Sequence, residues 1–311
     1  MRHEVDILLS VYNGAQYLEK QLDSLLRQSF VNWRLLVRDD GSRDSSKNIL
    51  IHYQQAYPEK ITLFFGDNLG ATQSFHELLK RSTARYAMFC DQDDIWFPDK
   101  IQLMLQTIKE KEIVYGKETP ILVFSDLVLI DEKDEQFSPS FWDWHKINSN
   151  NTSINQLLLE NIVTGAASFF NRALIEAALP IPAEAILHDW WLAQHASLFG
   201  LMVPLAKPTV YYRQHLENVV GCKNLGWARI KEMILDPKLL RNKMHHIYVT
   251  TSRQAKALFS QNENLLTGQQ RSLLSEYANI LNSSPVQRKI FFLKEKVYFS
   301  NILRNICLII Y

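Results

Sequence analysis

Short apolar runs alternate with segments of helical spacing through the first half of the chain, and this alternation limits the fold more than any other feature. Val5-Asp6-Ile7-Leu8-Leu9-Ser10-Val11 has the length and composition of a buried strand, closed by the turn residues Asn13-Gly14. Tyr17 to Gln28 then carries Leu18, Leu22, Leu25 and Leu26 at helical spacing. Strands are expected again over Trp33–Arg38, Ile61–Phe65, Tyr86–Cys90 and Ile121–Asp126, separated by helices over 45–57, 74–82 and 99–111. Such a succession folds as an α/β domain whose mostly parallel sheet is flanked by helices. Ligands of these sheets bind beyond the carboxyl ends of the strands, which is where Asp39, Asp40 and Asp91 to Asp94 fall.

Downstream, Thr164–Phe170, 203–205 and 209–212 read as further strands, and Arg172–Leu179 and Asp189–Phe199 as helices. The polar stretch Asp131–Ser153, with its Phe141-Trp142-Asp143-Trp144 cluster, reads as a long loop. Beyond Gly221 the spacing is helical to the end. The expected organisation is a catalytic-size α/β domain over residues 1–222 and a helical region over 223–311.

A net charge of +1 suggests no general attraction to nucleic acid, yet it conceals an asymmetry. From Lys223 onward there are fourteen Lys/Arg and five Asp/Glu, so that end is +9 and the preceding part −8. An acidic first part suits a divalent cation, and a basic end suits a negatively charged surface. Cys90, Cys222 and Cys307 show no metal-ligand spacing and fit a reducing compartment. The first residues run directly into a strand pattern without the charged and apolar succession of a leader, and no apolar run reaches the roughly 18 residues that span a bilayer. A cytoplasmic location is expected.

The run Asp91-Gln92-Asp93-Asp94 sets three carboxylates at a strand end, where repulsion is costly unless a cation offsets it; oxygen ligands of this kind suit Mg2+ or Mn2+. Acidic residues also favour a helix N-terminus, which accounts for Asp99 better than for Asp91 or Asp93. Asp40 can accept from a ribose hydroxyl or a base imide, or belong to a capped turn with Ser42 and Asp44. Asp189, in His188-Asp189-Trp190-Trp191, is either a general base in an aromatic setting or a helix cap beside core tryptophans. His215 can ligate a metal or pair with phosphate. Gly165 either admits an acceptor close to the backbone or marks a bulge. Dinucleotide, P-loop, zincin and α/β-hydrolase signatures are absent.

Taken in order, Ser10-Val11-Tyr12-Asn13, Asp39-Asp40-Gly41-Ser42, Asp91-Gln92-Asp93-Asp94-Ile95-Trp96, Gly165-Ala166, His188-Asp189-Trp190-Trp191 and Tyr212-Arg213-Gln214-His215 resemble a family 2 glycosyltransferase. The resemblance covers Val5 to about Gly221 and implies the Rossmann-like GT-A fold and an inverting, metal-dependent transfer. It implies that Ser10, Tyr12, Asp40, Asp91 and Gln92 bind the nucleotide-sugar, and that Asp93 and His215 hold Mn2+ or Mg2+. By the same likeness Asp189 is the catalytic base, with Gly165 and Trp190 on the acceptor side. The Asp-Gln-Asp-Asp-Ile-Trp, His-Asp-Trp-Trp and Tyr-Arg-Gln-His elements are further similar to bacterial rhamnosyltransferases. That similarity implies dTDP-L-rhamnose as donor, a glycan or polyprenyl-linked saccharide as acceptor, and cell-surface polysaccharide or O-antigen synthesis. A UDP-hexose donor and a binding protein without turnover are the competing readings. A nucleotidyltransferase would carry a glycine-rich basic loop, which Val11 to Gln21 lacks.

Drawn as one helix, Lys289–Ile309 gathers Phe291, Phe292, Tyr298, Phe299, Ile302, Leu303 and Ile306 opposite Lys289, Lys294, Lys296 and Arg304. Such a helix either lies on anionic lipid at the inner face of the cytoplasmic membrane, or packs against the domain or a second subunit in a homodimer.

Overall fold

The computed structural model describes residues 3–215 and 236–310. The boundary expected at residue 222, and Cys222 itself, lie outside them. The described residues form two units: 3–144, 163–181 and 187–215 in the first, and 145–162, 182–186 and 236–310 in the second.

The first unit is built on a seven-stranded sheet of β1 (Val5–Val11), β2 (Trp33–Asp39), β3 (Ile61–Phe65), β4 (Tyr86–Cys90), β6 (Ile121–Ser125), β9 (Ser168–Asn171) and β10 (Leu201–Leu205). Their spatial order is β10-β6-β9-β4-β1-β2-β3. β4 and β6 are buried along their whole length, as expected of apolar runs covered on both faces. The covering helices are α1 (Leu18–Leu26), α2 (Ser46–Ala56), α3 (Ala71–Arg81), α4 (Lys100–Tyr115), α7 (Arg172–Ala178) and α8 (His188–Phe199).

Neighbouring strands are parallel except β9, which runs against both β4 and β6. This reversal positions the site. Met88 pairs with Phe169, so the short turn Gly165–Ala167 that leads into β9 lies beyond the carboxyl end of β4, on the same edge as Asp91–Asp94.

A second sheet, ordered β5-β11-β7-β8, comprises β5 (Ile95–Trp96), β7 (Val128–Ile130), β8 (Gln136–Ser138) and β11 (Val210–Arg213). The stretch expected as a long loop therefore contains β8 and the helix α5 (Phe141–His145). Asp126 organises it: its carboxylate accepts from Leu127 N and Trp142 N at 2.8 and 3.1 Å and from Ser140 Oγ at 2.5 Å.

In the second unit, α6 (Ile154–Leu157) joins α9 (Pro237–Asn262), α10 (Gly268–Ala278), α11 (Pro285–Lys294) and α12 (Ile302–Ile310). Caps set these boundaries. Asp236 accepts from Lys238 N and Leu239 N, while Thr267 with Gln270 and Ser284 with Gln287 form capping boxes. The single helix expected over Lys289–Ile309 is corrected. It is broken between Lys294 and Ile302, where Lys296 takes φ +53° and the Asn305 side chain accepts from Phe299 N and donates to Phe299 O. Phe291, Phe292, Val297 and Phe299 are buried. The Glu160 carboxylate accepts from Ser300 N at 2.7 Å and pairs with Arg304, tying residues 145–162 to the C-terminal helices.

Candidate active site

The acidic run leaves β4 and enters β5, and a buried arginine fixes its path. Arg213 donates through Nε to Asp93 O at 2.8 Å and through Nη1 to Asp131 O at 2.9 Å; its backbone N–H meets Asp94 Oδ1 at 3.0 Å. Its Nη1 also lies 2.5 Å from Asp134 Oδ1. Asp94 is fully buried, and that burial, reinforced by Asp93 and Asp91, pushes its pKa well up. Asp94 thus anchors the loop to β11, while the other two acidic residues retain partial exposure.

Asp93 Oδ2 lies 2.7 Å from His215 Nε2. The imidazole is oriented by Tyr17, whose ring stacks on it at 5.5 Å and receives the Arg213 guanidinium at 4.5 Å. Burial, together with the negative charges of Asp93 and Asp189, raises the Asp91 pKa to about 7. The fold therefore brings Asp91, Asp93 and Asp189 within electrostatic reach, although the last lies nearly a hundred residues away in sequence.

Gln92 uses its amide on the neighbouring turn: Oε1 accepts from Tyr12 N at 2.8 Å and Nε2 donates to Tyr12 O at 3.1 Å. A Cβ at Gly14 would stand 2.4 Å from Gln92 Oε1, so only glycine leaves room for this clasp. The Tyr12 ring itself is 46% exposed. Ser10 Oγ donates to Ser74 Oγ at 2.7 Å.

Asp40 is buried and paired with Arg38, and it accepts from Leu69 N and Gly70 N at 2.9 Å each. Arg38 also donates to Asp67 O at 2.8 Å. The carboxylate assigned to ribose or base on sequence grounds thus also holds the 67–70 loop, a task not visible without Arg38.

On the β9 side, Gly165 faces α8. A Cβ there would lie 3.1 Å from His188 Nε2 and 3.4 Å from Asp189 Oδ2. Asp189 is 7% exposed, and its Oδ1 accepts from Trp190 N at 2.6 Å. His188 stacks on Phe75 at 4.0 Å, and burial lowers its pKa to about 3, leaving it neutral. Trp190, next along α8, is also buried. Sequence reading missed Lys100, whose wholly buried ammonium donates to Ala166 O in the same turn. A lysine at the start of α4 carried no signal of burial.

Asp93 and His215 offer one carboxylate and one imidazole, a donor set that fits a Mg2+ or Mn2+ ion completed by phosphate oxygens and water. Among the described residues no third His, Cys, Asp or Glu joins them in a metal-binding group.

The family model for glycosyl transferase family 2 matches residues 6–177, and the chain belongs to that family of sugar transferases. It is 28% identical over 257 residues to the dTDP-rhamnosyl transferase RfbG of Shigella flexneri, covering 80% of this chain and 84% of that protein. Similarity to an uncharacterised glycosyltransferase of Nostoc sp. is 26% over 225 residues, covering 69% of this chain and 66% of the relative. A Rickettsia typhi glycosyltransferase is matched over 38% of its own length. In fold the chain is similar to Staphylococcus aureus TarS in complex with UDP-GlcNAc, with TM-score 0.53, 16% identity and 88% and 87% of the two chains covered. It is also similar to the mannosyltransferase PcManGT of Pyrobaculum calidifontis in complex with GDP-Man and Mn2+, with TM-score 0.52, 15% identity and 96% and 87% covered. These two likenesses extend the GT-A fold to this chain.

Proposed function

We propose that this protein is an inverting, metal-dependent transferase that moves L-rhamnose from dTDP-L-rhamnose to a hydroxyl of a glycan or polyprenyl-linked glycan in bacterial cell-surface polysaccharide synthesis. The observation that carries the reading is the Asp93–His215 pair at one sheet edge, with Asp189, packed against Gly165, within electrostatic reach of the same acidic run. The similarity to RfbG over most of both chains supports the choice of donor.

In this reading Asp189 accepts the proton of the acceptor hydroxyl. The freed oxygen forms a bond to the anomeric carbon from the face opposite the diphosphate, and the bond to the diphosphate breaks with its electron pair leaving on the phosphate oxygen. Configuration inverts without an enzyme nucleophile. Held by Asp93 and His215, a divalent ion would neutralise charge on the diphosphate. Tyr12 and Ser10 line the nucleotide side with Asp40, and Gly165 with Trp190 the acceptor side.

The same reading puts the enzyme in the cytoplasm with its C-terminal helices against the inner face of the membrane. Val286, Ile290 and Leu293 form an exposed stripe on α11 beside Lys294 and Lys296, which supports an anionic lipid surface. No helix among the described residues is long and apolar enough to cross a membrane.

The test is a donor screen of purified protein with Mn2+ or Mg2+, using dTDP-L-rhamnose, UDP-hexoses and GDP-mannose against octyl glycosides of common hexoses. Release of dTDP with rhamnosylated product is expected; preference for a UDP-hexose would replace the donor, and no turnover with any donor would leave a binding protein.

A further inference from the structure

Lys100 opens α4 with a wholly buried side chain. Its ammonium donates to the carbonyl of Ala166 and lies 4.2 Å from the centroid of the Trp96 ring. Burial drives its pKa down to about 7, against the opposing pull of Cys90, Asp94 and Asp91. A dry ammonium is costly unless its charge and hydrogen bonds are matched, and a methionine would fill similar space without that cost. Packing alone does not account for the charge.

The ammonium has two neighbours that matter. On one side is the field of the acidic loop, through Asp91 and Asp94. On the other is the turn Gly165–Ala167, whose internal bonds include Ala167 N to Thr164 O at 2.9 Å, Ser168 N to Gly165 O, and Ser168 Oγ to Gly165 O at 2.7 Å. Those bonds close the turn on itself, whereas Lys100, 66 residues away in sequence, joins it to the start of α4 and to the Trp96 ring just past the acidic run. At Gly165 the same turn packs against α8, where a Cβ would lie 3.1 Å from His188 Nε2 and 3.4 Å from Asp189 Oδ2.

We propose that Lys100 is a positioning residue for sugar transfer: its ammonium locks the Gly165–Ala167 turn to the acidic loop and so sets the acceptor hydroxyl in line between Asp189 and the anomeric carbon. This rests on the reading of Asp189 as the base. Misplacement of an attacking atom by about 1 Å costs on the order of a hundredfold in rate. Donor binding draws on groups that remain in place without the ammonium, so the loss falls on transfer to the acceptor.

Lys100→Met and Lys100→Ala test this, with dTDP-L-rhamnose and Mn2+ as donor and the preferred octyl glycoside as acceptor. Both variants are expected to bind donor within threefold of the parent and to release dTDP by slow hydrolysis to water at near-parent rate. Transfer to the glycoside should fall about a hundredfold. Propylammonium should restore at least tenfold of transfer to Lys100→Ala, where it can enter the vacated space, and none to Lys100→Met. Transfer within threefold of the parent, an equal fall in hydrolysis and transfer, absence of rescue, or failure of both variants to fold would each overturn the proposal. Asp189→Asn separates the two readings: it loses hydrolysis and transfer together if Asp189 is the base, full transfer by that variant would reject the base and with it this alignment, and that loss alongside parent-like transfer in the Lys100 variants would reject the Lys100 role alone.

Discussion

The side-chain amide of Gln92 clasps the backbone of Tyr12, accepting from its N–H at 2.8 Å and donating to its carbonyl at 3.1 Å. Two loops separated by 80 residues are joined by this one pair. Each neutral bond contributes about 1 kcal/mol. Gln92→Leu, which removes both bonds, is therefore expected to weaken dTDP-L-rhamnose binding by up to about thirtyfold, measured by calorimetry. Gly14→Ala, which crowds Gln92 Oε1, should act through the same clasp. The double variant is then no worse than the poorer single one; strictly additive losses would refute the shared mechanism.

Asp189→Asn keeps the shape of the side chain and its contact with Trp190 N. Loss of a positioned base typically costs about 10²- to 10⁴-fold. Transfer should drop in that range with donor affinity unchanged, as followed by dTDP release and a binding titration. A parent-like rate would remove Asp189 from the reaction.

His215→Ala leaves Asp93 without its imidazole neighbour. In the parent, Mn2+ should tighten dTDP binding by about tenfold or more, and EDTA should abolish the gain. The variant should bind alike with and without Mn2+. A variant that still responds fully to the ion would place the metal elsewhere.

Asp91 gives stability a pH dependence of definite sign. Its pKa rises from an ordinary 3.8 to about 7 in the folded chain, so between those values the folded state holds the extra proton. Its contribution is complete below about pH 4 and is lost as pH rises through 7. Melting temperature of the metal-free protein should show this decline between pH 5 and 7, and Asp91→Asn should flatten it. An unchanged slope would assign the decline to other groups.

Val286, Ile290 and Leu293 lie on α11 at helical spacing and are 66%, 58% and 75% exposed. Replacing all three with serine is expected to release the full chain from liposomes containing anionic lipid in a flotation assay, without lowering the melting temperature. Equal flotation of parent and variant would reject membrane contact through α11.

The long strands of the main sheet were legible because fully buried runs such as Tyr86–Cys90 leave an unbroken apolar trace. β5, β7 and β8 span two or three residues and have no length in which a period can register. The direction of β9 was hidden too, since an antiparallel strand of buried residues has the same composition as a parallel one. The Ser284 cap sets the start of α11, but nothing in Glu295-Lys296 announced its end, because Lys296 adopts a left-handed conformation that glycine or asparagine would ordinarily mark. Within the site, Asp93 and His215 were legible as candidate ligands from residue type, but their approach to 2.7 Å across 122 residues was not. The duties of Gln92, Lys100 and Arg213 depend on partners distant in sequence that no local pattern encodes.

The bond set of Glu160 bears on how this gene can be cut or fused. Its carboxylate, within the excursion 145–162, is completed by Ser300 N and Arg304 near the other end of the polypeptide. A minimal enzyme ending near residue 222 would therefore leave this acid without either partner, and Asn155 without the Glu295 carbonyl that it reaches at 2.5 Å. The helical unit is not a detachable tail: it is stitched from three separate stretches of the reading frame, and swapping it between relatives demands exchanging all three at once.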